Sequence, residues 1–216
     1  MTMRPGTELI ADHYQKTFEL TLTVWEQRNR TFLILLAVVG AATLLTFNVS
    51  EAQPLLVDVI ASILSIDDAA RRAELRTSFP YGLIQSILLM VVLYLMLILY
   101  HRTTAILRNY EYLSALEHEI RDSLDLPSSM VSFTREGRFY AKATVRLAPA
   151  IGLAYVLMLF FLLVPFLGMR IVNDFTSGQY WFGAIDIALA VPTLMFYAAY
   201  AFSSSGFLRR LFGNRP

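Results

Sequence analysis

The sequence predicts an all-α integral membrane protein with four transmembrane helices. Hydrophobic residues make up 56% of the 216 positions and charged residues 16%, and the mean hydropathy of +0.52 lies well above that of ordinary soluble domains. Four stretches approach the roughly 20 apolar residues that cross a bilayer. Lys and Arg are concentrated in alternate segments between these stretches, which is typical of a multi-pass protein.

We expect no cleavable leader before the first of the four predicted spans. A polar or amphipathic segment of about 30 residues precedes the first apolar run, so we expect that run to be retained as a span. The second span contains no acidic or basic side chain, and the fourth contains a single carboxylate, that of Asp186. The predicted spans are 32–48, 81–100, 147–167 and 181–202.

The orientation follows from the distribution of the 18 Lys and Arg residues. Fourteen of them lie before the first span, between the second and third spans, or after the fourth, and four lie in the two other loops. The positive-inside rule therefore predicts a multi-pass membrane protein with both termini and the long middle loop in the cytoplasm. The predicted segments are an amphipathic N-terminal helix (1–31), a first transmembrane pair (32–100) with an outer loop (49–80), a cytoplasmic helical stalk and basic turn (101–147), a second transmembrane pair (148–202) and a basic tail (203–216).

Helical periodicity continues outside the spans. Residues 7–27 predict an amphipathic helix that lies on the inner leaflet or packs on another part of the protein. The second span has no stop signal before Pro127, so one helix is predicted from Tyr81 to about Asp125, and its second half forms a cytoplasmic stalk. The apolar stripe of this stalk needs the N-terminal helix, a second copy, or both as a partner. We predict a homotetramer with this stripe as the contact surface: Tyr110, Leu113, Leu116 and Ile120.

The outer loop contains two further segments of predicted helix. Residues 54–64 are mostly apolar but too few to span a bilayer, which favours an interfacial or re-entrant helix. The acidic and basic residues that follow, between 67 and 76, are typical of a solvated helix.

A basic turn follows the stalk. Thr134 to Gly137 read as a turn because glycine readily adopts a positive φ. The cations around it recur at steps of three and four residues, which would place them on one helical face. They are candidate ligands for an anionic regulator, and the alternative is a turn packed under the stalk with its arginines in solvent. The candidate ligand-binding residues are Arg108, Arg135, Arg138, Lys142 and Arg146.

Few polar groups lie inside the spans. Asp186 is a candidate either for an ion pair with Arg170 or for a role in ion passage. Gln85 and Ser86 are expected to form interhelical hydrogen bonds or to line a wet outer vestibule. The inner half of the second span is almost entirely apolar and suits a hydrophobic gate. The gate candidates in that half are Leu89 and Leu93.

Several classes of chemistry are disfavoured. The chain has no Cys, which excludes disulfides and thiolate chemistry. Its three histidines, His13, His101 and His118, lie far apart in the sequence, and no phosphate-binding loop, dinucleotide fingerprint or HExxH motif is present. We therefore expect a protein that is not an enzyme and needs no metal or cofactor.

Residues 108–140, with the text RNYEYLSALEHEIR…FTREGRFY, resemble small bacterial four-span membrane proteins, among them membrane effectors of anti-phage defence operons such as Hailong and CBASS. The resemblance covers 33 of the 216 residues. It implies an oligomeric pore whose cytoplasmic part responds to a nucleotide or a short oligonucleotide. From this resemblance we expect a ligand-gated oligomeric channel in the lipid bilayer of a bacterial inner membrane. The alternative is a non-conducting membrane anchor for a cytoplasmic partner protein.

Overall fold

The structure, a computed structural model, describes residues 7–46, 52–78, 81–127, 130, 132, 148–176, 178 and 180–205. Six helices make up nearly all of this described part, which contains no β-strand. Four of the helices are long and apolar enough to cross a membrane, so the prediction of an all-α chain with four candidate spans is confirmed. The helices are α1 (Thr7–Thr46), α2 (Ala52–Ile63), α3 (Ala69–Ser78), α4 (Tyr81–Ser123), α5 (Ala148–Thr176) and α6 (Tyr180–Ser204).

The amphipathic segment and the first span form one helix, α1. The sequence between them, residues 26–31, contains no Gly or Pro, so nothing in the backbone ends the helix there. The 40 residues of α1 measure about 60 Å at 1.5 Å per residue, which is twice the roughly 30 Å of a bilayer core. If one half of α1 crosses the hydrocarbon, the other half lies outside it.

Helix α4 is a single helix of 43 residues, as predicted. It ends in a Schellman motif, in which Asp125 takes a φ of 51°. The amide of Leu126 donates to the carbonyl oxygen of Arg121 over 3.1 Å, and the amide of Asp125 donates to that of Asp122 over 3.3 Å. Pro127 follows and cannot continue the helix, which explains why the stalk ends near the predicted residue.

The two predicted segments of the outer loop are helices α2 and α3. Ser65 ends α2 with a φ of 55°, and the amide of Ile66 donates to the carbonyl oxygen of Ala61 over 2.8 Å. Asp68 caps α3, since its Oδ1 accepts a hydrogen bond from the amide of Ala70 at 2.9 Å. The helical character of both segments is confirmed.

Helix α5 is longer than the span predicted from hydropathy. That prediction ended the third span at residue 167, because Gly168 and Arg170 interrupt the apolar run. The helix in fact continues to Thr176. Arg170 and Asp174 lie one turn apart and form an ion pair inside the protein, so their charges do not force the chain into water.

Contacts divide the chain into two compact units. Unit 1 contains Met1–Thr31, Ile98–Val156 and Ala199–Pro216, and unit 2 contains Phe32–Leu97 and Leu157–Ala198. Each of the four long helices contributes residues to both units. The core residues of unit 2 recur at steps of three and four along their helices, as expected of faces turned to a core. They include Leu35, Val39, Val92, Met96, Leu159, Leu163 and Phe166.

In unit 1, the apolar stripe of α4 is buried within the single chain. Leu113 and Ile120 are fully buried, Leu116 is nearly so, and Tyr110 is half-buried. The prediction of an oligomer assumed that this stripe is exposed in one copy, and that assumption is wrong. A second copy is therefore not needed to cover the stripe, and the tetramer stays a prediction without this support.

The N-terminal half of α1 supplies partners for this part of α4. Tyr14 Oη donates to Glu117 Oε1 over 3.1 Å. His13 Nε2 and Tyr112 Oη are 2.9 Å apart, and their rings meet edge to face. Of the two partners considered for the stalk, the N-terminal helix is thus the one that the structure provides.

Candidate functional site

The buried face of α5 does not end with its apolar residues. Leu159, Leu163 and Phe166 recur at steps of three and four, and Arg170 and Asp174 continue the same series. Both charged side chains are only 1% exposed, and Arg170 Nη1 lies 2.8 Å from Asp174 Oδ1. Because residues four apart share one face of a helix, α5 carries this ion pair into the interior of unit 2.

Helix α6 adds a second carboxylate to the same guanidinium. Arg170 Nε donates to Asp186 Oδ2 over 2.6 Å, and the Asp186 side chain is fully buried. Gly183 lies one turn earlier on α6, and a Cβ placed on it would be 3.5 Å from Asp174 Cβ. The predicted ion pair between Asp186 and Arg170 is confirmed.

Helix α4 completes the contacts of Arg170, and α1 is joined to the site through Gln85. Its Nη1 donates to Gln85 Oε1, and its Nη2 donates to the carbonyl oxygen of Gly82 over 3.2 Å and to Ser86 Oγ over 3.5 Å. Gln85 Nε2 in turn donates to the carbonyl oxygen of Leu45, on α1, over 3.0 Å. All four long helices therefore meet at one polar site in unit 2, and the interhelical hydrogen bonds predicted for Gln85 are confirmed.

We call this site the Arg170 cluster: Arg170, Asp174, Asp186, Gln85 and Ser86. It contains one guanidinium and two carboxyl groups, and both carboxyl groups contact the guanidinium. Each carboxyl group gives one oxygen to Arg170. The other two oxygens, Asp174 Oδ2 and Asp186 Oδ1, are buried without a hydrogen-bond partner among the described residues.

The cluster unites two pairs that the sequence nominated separately: Gln85 with Ser86, and Asp186 with Arg170. Asp174 was missed because it lies beyond the predicted end of the third span. The signal that could have found it is the continuation of the buried series of α5 by steps of three and four residues. With Arg170 at the preceding step of that series, both charges fall on the face that turns inward.

The two leucines proposed as a gate are placed differently from each other. Leu89 is buried within the chain, one turn along α4 from Gln85, and Leu93 is half-buried. Leu89 therefore offers no surface to another copy of the chain. A gate formed by Leu89 would have to lie between helices of one chain.

Of the predicted anion ligands, the structure describes one. Arg108 is exposed on α4 in unit 1, whereas Arg135, Arg138, Lys142 and Arg146 lie outside the described residues. No group of three or more His, Asp or Glu side chains in the described ranges could hold a metal ion.

Arg121, at the end of α4, holds the start of the segment that follows. Its Nη1 donates to the carbonyl oxygens of Met130 and Ser132 over 2.9 and 2.6 Å, and its Nη2 donates to that of Pro127 over 2.9 Å. The side chain is buried. These contacts hold Pro127, Met130 and Ser132 against the end of α4.

Two further arginines of unit 1 bind neutral groups. Arg28 Nη2 donates to Tyr200 Oη over 3.0 Å, and its guanidinium lies 5.8 Å from the ring centroids of both Tyr155 and Tyr200. Arg102 Nη1 donates to the carbonyl oxygen of Gln27 over 2.7 Å and to Thr31 Oγ1. These contacts join helices through dipoles and aromatic rings.

No protein-family profile, curated protein or solved structure matches this chain. The fold and the site define a helical protein with four candidate membrane spans and a buried charge cluster.

Proposed function

We propose that this protein is an oligomeric channel that passes ions across a bacterial inner membrane. One observation carries the proposal: a guanidinium and two carboxyl groups are buried together where four apolar helices meet. Ionisable groups are expensive in hydrocarbon, and those that persist there mark ion pathways and proton relays. A purely structural hydrogen bond between helices would not need three charged groups.

The experiment is ion flux into liposomes that contain the purified full-length protein. We expect them to dissipate a potassium or proton gradient faster than protein-free liposomes. Asp186→Asn keeps the size of the side chain but removes its charge, and we expect it to change the rate. The matched control is Asp67→Asn, because Asp67 is a highly exposed carboxylate of the same unit.

Regulation by a cytoplasmic anion is part of the proposal. It is supported by the excess of Lys and Arg on one predicted side of the membrane and by the exposure of Arg108. A short oligodeoxynucleotide should bind the protein and change the flux, and its binding should weaken steeply with salt because charge attraction to phosphates depends on ionic strength. The Arg135→Ala, Arg138→Ala, Lys142→Ala and Arg146→Ala quadruple variant should lose this binding. Full binding by that variant would remove these residues from the proposal.

The second candidate function is a non-conducting anchor for a cytoplasmic partner protein. It is favoured by the apolar side chains that the N-terminal half of α1 leaves exposed, which are Leu9, Leu20, Leu22 and Trp25. Such a face needs lipid or protein to cover it. If the wild-type protein is electrically silent in liposomes with and without the oligonucleotide, the channel is wrong and the anchor is adopted.

A further inference from the structure

The charges of the Arg170 cluster do not balance. Its three charged groups are Arg170 and Asp174 on α5 and Asp186 on α6. The groups that α4 contributes are neutral: the side chains of Gln85 and Ser86 and the carbonyl oxygen of Gly82. The one group from α1, the carbonyl oxygen of Leu45, is also neutral and contacts Gln85. With both carboxyl groups ionised, the cluster would hold one uncompensated negative charge. All three charged side chains are at most 1% exposed, so water cannot compensate for it.

The hydrogen bonds are also incomplete at the same place. Asp174 Oδ2 and Asp186 Oδ1 are buried and lack a partner among the described residues. A buried polar atom without a hydrogen bond is uncommon and indicates a missing proton, water or ion. The two carboxyl groups are neighbours, since Gly183 and Asp186 lie one turn apart on α6 and the Gly183 position is next to Asp174 Cβ.

We propose that Asp174 and Asp186 share one proton, which makes the Arg170 cluster a buried proton-binding site. One proton makes one carboxyl group neutral, and its O–H donates to the free oxygen of the other. The remaining carboxylate is then balanced by Arg170. A single proton thus removes the excess charge and gives both orphan oxygens a partner, as when two adjacent carboxyl groups in other proteins share a proton because both cannot ionise.

A metal cation fits the site less well. Calcium and magnesium take about six or more oxygen ligands, whereas two oxygens are free here. Every other oxygen of the cluster already accepts a hydrogen bond from Arg170. The proton is therefore the ligand that the geometry accommodates without rearrangement.

The test is infrared spectroscopy of the purified full-length protein at neutral pH. The wild type should show the C=O stretching band of a protonated carboxylic acid, and this band should shift in heavy water. Asp174→Asn and Asp186→Asn should each abolish it, because Arg170 alone balances the one carboxylate that remains. Asp67→Asn, the exposed control, should leave the band in place.

Thermal unfolding at a series of pH values provides a second readout. In the pH range where the folded wild type keeps a proton that the unfolded chain has released, its unfolding temperature should fall as pH rises, and it should level off once the folded protein has also lost that proton. This fall should be absent in the two Asn variants. An absent acid band in the wild type, or a band that survives in both variants, overturns the proposal. So does stabilisation by sodium or potassium in place of the band.

Two remaining outcomes also decide the matter. Asn has the size and neutrality of the protonated acid, so failure of both single variants to fold counts against a shared proton. The inference concerns the site on which the proposed function rests, but its test measures no flux. A protein that shows the acid band and is silent in liposomes has a proton site and is not a channel.

Discussion

Units 1 and 2 hold their buried and half-buried arginines in different ways. In unit 1, Arg28, Arg102 and Arg121 donate to carbonyl and hydroxyl oxygens. In unit 2, Arg170 binds two carboxyl groups. Neutral partners leave the charge of a guanidinium in place, whereas carboxylates neutralise it.

This difference indicates different surroundings. A net charge is tolerated where water or lipid headgroups are near, but in an apolar interior an unpaired charge is very costly. The ion pairs of unit 2 are the contacts expected in an apolar medium. The neutral hydrogen bonds of unit 1 are compatible with surroundings of water or lipid headgroups. The loss of stability should therefore be largest where a substitution removes the charge that pairs with buried carboxyl groups, and smallest where it removes only a neutral hydrogen bond.

The largest effect is expected for Arg170→Ala. It leaves two buried carboxyl groups without a cation, and breaking a buried pair in this way costs about 3–5 kcal/mol. The unfolding temperature in detergent, followed by tryptophan fluorescence, should fall strongly. The control is Lys16→Ala, since Lys16 and Asp12 form an exposed ion pair of similar length, 2.7 Å. Equal loss in both variants would show that burial is not the reason.

Leu113→Ala should have the next largest effect. Leu113 is fully buried in unit 1, and truncation of such a leucine destabilises a protein by about 2–5 kcal/mol. Leu9→Ala, at a mostly exposed position of the same unit, should change the unfolding temperature little. The mass of the detergent-solubilised protein should stay the same in both variants. If Leu113→Ala instead dissociated an oligomer without destabilising the monomer, the stripe would be a contact surface between copies of the chain.

A pair of glycine variants compares packing in the two units. A Cβ on Gly152, in unit 1, would lie 2.8 Å from the backbone carbonyl oxygen of Ser204, which cannot move aside cheaply. Gly152→Ala should therefore lower the free energy of unfolding by about 1–3 kcal/mol. In unit 2, a Cβ on Gly40 meets nothing within 4 Å. Gly40→Ala should therefore raise the free energy of unfolding by up to about 1 kcal/mol, because Ala has the higher helix propensity. Thermal denaturation measures both, and opposite signs are the expected result.

The smallest effect is expected for Tyr200→Phe. This variant loses the hydroxyl that accepts from Arg28 but keeps the ring beside the guanidinium. The loss should be about 1 kcal/mol, the net value of an ordinary hydrogen bond. The control is Tyr94→Phe at an exposed position of unit 2. A loss as large as that of Arg170→Ala would contradict the distinction between the two units.

The sequence alone determined where the helical segments lie and where α4 ends, but not that α5 continues to Thr176 or that the first two predicted segments form one helix. Long runs of apolar residues without a breaker predicted four spans and the continuous α4, because helix formation depends on local backbone preferences and on side chains within a few turns. Pro127 marked the end of α4, and Asp68 could cap α3, for the same local reason. The burial series of α5 also extends to Asp174 in the sequence, although hydropathy concealed it.

The tertiary structure decided which residues meet. The sequence offered the Asp186–Arg170 pair only as one of two alternatives, and it contained no sign that Asp174 and Gln85 converge on the same guanidinium. It also left open whether the stripe of α4 packs on α1 or on a second copy. Several of these contacts join residues 40 or more positions apart, such as Gln85 with Leu45 and Arg170 with Gln85, and such distances in sequence carry no periodic signal. Helix packing sets them, and packing depends on the shapes of all the faces at once.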